Sequence, residues 1–159
     1  MNPNAKNPQS NMAHIPVMLE EMLSAMSPND GEAYVDGTFG GGGYASALLK
    51  SAKCRVWGLD RDPDAVVRGA VLAKKFPGRL TVIQGKLSEM ETRLSALGVN
   101  RVDGVALDIG VSAFQLNEVS RGFSFQRDGL LDMRMGVTGT TASDIINHKD
   151  EAVLRQVIH

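Results

Sequence analysis

Three aspartates in this chain, Asp36, Asp60 and Asp108, each close a short apolar run: AYVD, RVWGLD and GVALD. After the first comes a run of glycines, in VDGTFGGGGY from Val35 to Tyr44. Glycines directly after a strand let the backbone approach a ligand closely, and the helix that follows points unpaired N–H groups at it. Gly40, Gly42 and Ala45 satisfy the G-x-G-x-x-A spacing of a dinucleotide fingerprint. Four consecutive glycines satisfy many spacings, so a plain flexible loop stays open as the alternative. Asp60 stands where a carboxylate ending a second strand can accept hydrogen bonds from two ribose hydroxyls.

Asp36 separates the ligand classes that this pattern admits. A carboxylate ahead of the loop repels a pyrophosphate, which argues against NAD. The methionine end of S-adenosylmethionine carries an ammonium and a sulfonium, which a carboxylate attracts. The alternative role for Asp36 is a cap on the loop backbone. Ligands of open parallel sheets bind outside the carboxyl ends of the strands, and all three aspartates are expected on that edge. Asp108-Ile109-Gly110-Val111 departs from the D/N-P-P-aromatic motif that many amino-methylating enzymes carry. From Gly110 to Met135 the run GVSAFQLNEVSRGFSFQRDGLLDMRM mixes Arg121, Arg127 and Arg134 with Phe114, Phe123 and Phe125. Arginines interleaved with aromatics suit an unstacked base and its phosphates, although a loop tucking its phenylalanines into the core fits the pattern as well. His14, His148 and His159 are widely spaced with no ligand-like neighbours, so no metal site is expected. Glu20 and Glu21 read as the solvated face of a first helix, and Cys54 as a small buried hydrophobe.

The elements that must position these residues follow from periodicity and punctuation. PVMLEEMLSAM, residues 16–26, has helical spacing with proline in the first turn, and Pro28-Asn29-Asp30-Gly31 is a turn. Strands are expected at Ala33–Asp36, Arg55–Asp60, Leu80–Ile83 and Gly104–Asp108. Helices are expected at Tyr44–Lys50, from an Asp62-Pro63 start to about Lys75, and at Glu89–Leu97 before Gly98. Strands alternating with helices imply a parallel sheet with right-handed crossovers. Residues 109–140 read as irregular, followed by short helices at Ala142–Asn147 and Glu151–Ile158. Four strands with no second half read as an incomplete doubly wound sheet, truncated at His159.

Composition bounds the function classes. The 159 residues suit one core, and 43% apolar content excludes wholesale disorder. No apolar run approaches the roughly 18–20 residues of a membrane span, and the chain reads as cytoplasmic. The charges balance, 17 basic against 18 acidic, which argues against this segment gripping RNA by itself. The first thirteen residues, MNPNAKNPQSNMA, read as a disordered tail.

HIPVMLEEML, VDGTFGGGGY, GLDRDPDAV, ALDIGVSAFQL and RGFSFQRDGLLDMRM together resemble the bacterial 16S rRNA cytosine-N4 methyltransferase family, from His14 to the end of the chain. The last of these blocks is the most specific. The resemblance implies transfer of a methyl group from S-adenosylmethionine to the exocyclic amine of a cytosine in the decoding region of the small ribosomal subunit. It implies an α/β class I methyltransferase (Rossmann-like) parallel sheet with a helical subdomain inserted after the fourth strand. By likeness Gly42, Gly43 and Tyr44 hold the methionine end, Asp60 the ribose, Leu87 lies near the adenine, and Asp108 and Gln115 complete the pocket, with Asp36 beside the loop. The family often has His where Tyr44 stands and Phe where Leu87 stands. It is also about twice this length. The implied division is a tail over 1–13, an S-adenosylmethionine-binding part over 14–115, and a substrate loop with the start of the inserted subdomain over 116–159. Asp108 is the catalytic candidate, as acceptor of an amine proton. Arg121, Phe123, Phe125, Arg127 and Arg134 are the candidates for RNA. The expected partners are 16S rRNA and the small subunit, with a homodimer left open and no membrane. Two other readings stay open: an NAD-dependent oxidoreductase, and a catalytically inactive cofactor-binding fragment.

Overall fold

The computed structural model describes residues 16–158; the expected tail over 1–13, His14 and His159 lie outside them. Four parallel strands form one sheet in the order β3-β2-β1-β4. They are β1 (Ala33–Asp36), β2 (Arg55–Asp60), β3 (Leu80–Gln84) and β4 (Gly104–Ala106). The register sets Val35 between Trp57 and Val105, and Asp36 between Gly58 and Ala106. Each crossover carries a helix: α2 (Gly43–Ser51), α3 (Pro63–Ala73) and α4 (Met90–Ser95), with α1 (Leu19–Met26) ahead of β1. Right-handed crossovers from β1 to β2 to β3 run one way across the sheet and the return to β4 runs the other, so α4 falls on the face opposite α2 and α3.

The core lies between the sheet and the first face. Tyr34 and Val56 from the strands meet Leu48 and Leu49 of α2, Ala65 of α3, and Phe39 and Phe76 from the connections, with Met22, Leu23 and Met26 of α1 packed against them. Cys54 is buried there, in keeping with a small hydrophobe. Asp62 caps α3 as its position before Pro63 implies: it is extended, and its Oδ1 accepts the Asp64 N–H at 3.1 Å.

Several boundaries differ from the sequence expectation. The first helix starts at Leu19 rather than at Pro16, because Met18 adopts a left-handed φ of 53° that a continuous helix excludes. The helix expected at Glu89–Leu97 is α4, only Met90–Ser95, entered through a 3-10 turn at Leu87–Glu89. The fourth strand stops at Ala106, since the Asp108 N–H turns to the Thr38 hydroxyl at 2.7 Å instead of joining the ladder. The stretch expected to be irregular contains α5 (Ala113–Asn117) and a 3-10 turn at Val119–Arg121. α6 (Ala142–His148) and α7 (Glu151–Ile158) lie close to expectation. Among the described residues no helix is long and apolar enough to cross a membrane, and no three His, Cys, Asp or Glu side chains group as a metal site.

Candidate functional site

Strand order reverses between β1 and β4, and open parallel sheets bind ligands at such a switch point, outside the carboxyl ends of the strands. A cleft of about 980 Å³ opens there. Its walls are the glycine loop, the end of β2 from Asp60 to Asp62, the turn around Leu87, and the segment from Asp108 to Gln115, with Met135 closing one side.

The loop is held by a carboxylate of the cleft wall. Asp60 Oδ2 accepts the Gly40 N–H at 2.7 Å, and its Oδ1 accepts the Asp62 N–H at 2.9 Å. Gly42 caps α2 at φ 74°, and a Cβ there would stand 2.6 Å from the Phe39 ring and 2.7 Å from Leu72. Only glycine meets both demands. Gly43 and Tyr44 begin α2, and the Tyr44 hydroxyl donates to the Val17 carbonyl.

The three aspartates reach the same end of the sheet and take different surroundings. Asp36 is 1% exposed and sits behind the loop rather than in the cleft wall. Its Oδ2 accepts the Ala45 N–H at 3.1 Å, and its Oδ1 has no hydrogen-bond partner among the described residues. Burial pushes its carboxyl up to about 6, against the pull of the Ala45 N–H. Asp60 and Asp108 line the cleft, and Asp108 is exposed to it. Burial, then the charges of Asp108 and Asp36, hold the Tyr44 hydroxyl above its ordinary range, which sets these three groups in one electrostatic neighbourhood. Leu87 lines the opposite side, 38% exposed. Gln115 is buried in the wall: its Oε1 accepts the Ser112 N–H at 3.0 Å and its Nε2 donates to Asp62 Oδ2 at 3.2 Å.

The residues expected to meet RNA divide. Arg121 is mostly buried, with its guanidinium paired to Asp62 at 3.0 Å, so its charge is engaged within the protein. Arg134 is likewise engaged, with Asp132 and with the carbonyls of Val137 and Gly139. Arg127 stays exposed, its side chain bonded among the described residues only to the Asn117 carbonyl at 3.3 Å. Phe123 is half-buried, whereas Phe125 is fully exposed.

Sequence reasoning missed three residues of this site. Asp62 reads as a helix cap and is also the anchor of Gln115 and Arg121. Met135 closes the cleft. Arg68 lays its guanidinium over the Phe114 ring at 4.1 Å, and its Nη2 is buried without a partner among the described residues. Gln115, named above by resemblance, also carries a local signal: Ser112-Ala113-Phe114-Gln115 is the S-x-x-Q of a capping box, which α5 makes. Nothing in the spacing of Arg68 or Met135 singles them out.

Residues 11–159 match the family described as the MraW methylase family. The chain is 58% identical over 145 residues to Ribosomal RNA small subunit methyltransferase H of Rhodospirillum centenum, covering 91% of this chain and 44% of that protein. The protein of the same name from Parvibaculum lavamentivorans is 54% identical over 158 residues, 99% of this chain and 46% of that one. The one from Rhodospirillum rubrum is 56% identical over 146 residues, 92% of this chain and 45% of that one. The chain thus spans a little under half the length of these relatives.

Proposed function

The chain belongs to the MraW methylase family, and from that premise we propose that it forms the donor-binding part of an S-adenosylmethionine-dependent enzyme that methylates the N4 amine of a cytosine in 16S rRNA, in the decoding region of the small subunit. The observation that carries this reading is a glycine loop and the Asp60 carboxylate at the end of β2 on one cleft at the switch point, with the Asp36 carboxylate buried behind the loop. A nucleoside with a cationic amino-acid tail fits those groups. Asp60 stands at the end of β2 for the ribose, Leu87 offers apolar surface to the adenine, and Gly42, Gly43 and Tyr44 border the methionine end. The unpartnered Asp36 Oδ1 supplies buried negative potential behind the loop. That same carboxylate opposes a pyrophosphate, and nothing in the family or the site favours a nicotinamide cofactor.

When bound, the donor supplies an electrophilic methyl group on its sulfonium. The chain's own residues orient and select. A cytosine amine is a weak nucleophile because its lone pair is delocalised into the ring, so placement behind the methyl matters most; orientation of this kind is worth ~7–11 kcal/mol. Asp108, exposed in the cleft and fixed through its N–H to Thr38, accepts one amine proton in a hydrogen bond and turns the lone pair toward the donor. Phe125 offers an exposed ring on which a splayed base can stack, a contact worth ~1–3 kcal/mol. A cytoplasmic location belongs to the same reading.

The test is methyl transfer from labelled donor to small subunits lacking the modification, followed by digestion to nucleosides. Label in N4-methylcytidine supports the proposal. Label confined to another nucleoside overturns the assigned target, and no label with the full chain leaves the inactive cofactor-binding reading.

A further inference from the structure

Asp62 makes more hydrogen bonds than a helix cap requires. While Oδ1 caps α3, Oδ2 accepts from Arg121 Nη1 at 3.0 Å and from Gln115 Nε2 at 3.2 Å. The residue is 2% exposed. Arg121 then directs Nη2 to the carbonyls of Arg134 and Met135, both at 3.0 Å, and its own carbonyl accepts the Met133 N–H at 3.0 Å. Met133 stands at φ 56°, a left-handed conformation that a residue with a side chain adopts only when its surroundings impose it. One arginine therefore holds a strained turn at both its start and its finish. Desolvating two charges offsets most of what their attraction returns, so stability alone gives little reason for the pair. What it adds is a fixed arrangement.

That arrangement joins two parts of the cleft. The Asp62 N–H donates to Asp60 Oδ1 at 2.9 Å. A continuous set of bonded groups thus runs from the Asp60 carboxylate through Asp62 to Gln115 and, by way of Arg121, to Met135. Asp60, Gln115 and Met135 all line the cleft.

We propose that Asp62 and Arg121 are positioning residues that couple occupancy of the donor site to the placement of segment 121–135, so that donor binding prepares the approach of the RNA. This rests on the reading given under Proposed function. A donor engaging Asp60, Gln115 and Met135 touches both ends of the network, and the segment it orders need not be ordered again when RNA arrives. The fork of arginine is essential, because Nη1 serves Asp62 while Nη2 serves the two carbonyls, a span that the single nitrogen of lysine does not offer. A direct role for Arg121 on a phosphate would require it to leave Asp62, stranding a buried carboxylate.

The test uses the full chain, S-adenosylhomocysteine as the donor-side probe, and small subunits lacking the methyl group. In the wild type, S-adenosylhomocysteine is expected to tighten subunit binding by about tenfold, within the usual range of such couplings. Arg121→Lys keeps the charge, and Asp62→Asn keeps a good helix cap. Both are expected to lose the coupling, read as the ratio of subunit affinities with and without S-adenosylhomocysteine, to less than about twofold, and to raise KM for the subunit rather than lower kcat. Coupling retained in both variants overturns the proposal. So does a fall of about one in the salt slope of RNA binding in Arg121→Met, the signature of a lost phosphate contact. A wild type that binds S-adenosylhomocysteine without coupling overturns this inference alone; one with no affinity for it overturns the donor-site reading as well.

Discussion

At the scale of single residues, the strongest constraint is the carboxyl of Asp36, which is excluded from water with one oxygen unpartnered. Burial raises it from 3.8 to about 6. Between those values the native state keeps a proton that the unfolded chain has released, so stability falls as pH rises through the window and stays reduced above it. The shift corresponds to about 3 kcal/mol. Asp36→Asn removes the titration, so the stability difference between variant and wild type should move in the variant's favour by about this amount from pH 4 to pH 7. Its absolute offset is a poorer readout, because a buried amide that lacks a partner has its own cost. Urea midpoints across that range decide it, and parallel curves for the two proteins would remove the argument. In the proposed function the same change should weaken donor binding, a stability-for-function exchange common at binding sites. Asp108 presents the opposite case, exposed and anchored only through its backbone. Asp108→Asn preserves shape and removes the charge that holds the amine proton, so turnover should fall more than donor affinity. Equal losses, measured by single-turnover kinetics and calorimetry, would make Asp108 a cofactor ligand only.

Among the elements, legibility in the sequence follows the range of the interactions. β1 and β2 coincide with the AYVD and RVWGLD runs, because apolar patterning and flanking turn residues are local signals. Asp62 as cap of α3 was equally readable. The overlong β4 was not avoidable from local signals, since the hydroxyl that diverts Asp108 comes from Thr38, seventy positions earlier. The pairing of Arg121 was hidden for the same reason. An arginine among phenylalanines looks the same whether it faces phosphate or a buried aspartate, and the partner of Arg121 is 59 residues away. The segment 119–135 closes through contacts just as invisible to periodicity. Gly122 has φ 70°, and a Cβ there would stand 2.1 Å from the Leu130 carbonyl oxygen. Gly122→Ala combines left-handed strain with a backbone collision and should cost roughly 2–4 kcal/mol. Gly98 has φ 73° and no neighbour within 4 Å, so Gly98→Ala carries the strain alone, about 1–2 kcal/mol. Denaturant midpoints of the two variants separate collision from strain; equal losses would show that the segment yields and does not act as a rigid turn.

For the molecule as a whole, the uncovered surface lies next to β4. That strand pairs with β1 on one side, and among the described residues nothing pairs with its other edge. Val105, Leu107, Ile109 and Val111, at every second position, are all exposed, Ile109 to 80%. Doubly wound sheets cover both faces with helices, and an open edge beside apolar side chains is a template for association. Charge gives little protection, since 17 basic and 18 acidic side chains leave a net charge of −1 and near-neutral proteins repel one another weakly. Residues 1–159 prepared alone are therefore expected to associate as concentration rises and to bind a dye for exposed apolar surface. Sedimentation velocity at several loadings gives the answer and also its kind. A self-complementary contact, including two β4 edges paired about a twofold axis, closes into a discrete dimer, whereas a head-to-tail contact between unlike surfaces adds copies without limit. If the edge is responsible, lysine placed on β4 at Val105 should suppress association, because a charge on an edge strand opposes further pairing. A dilution-insensitive monomer that binds no dye would show that these four side chains are covered in solution, and that the apolar run beside β4 is no interface.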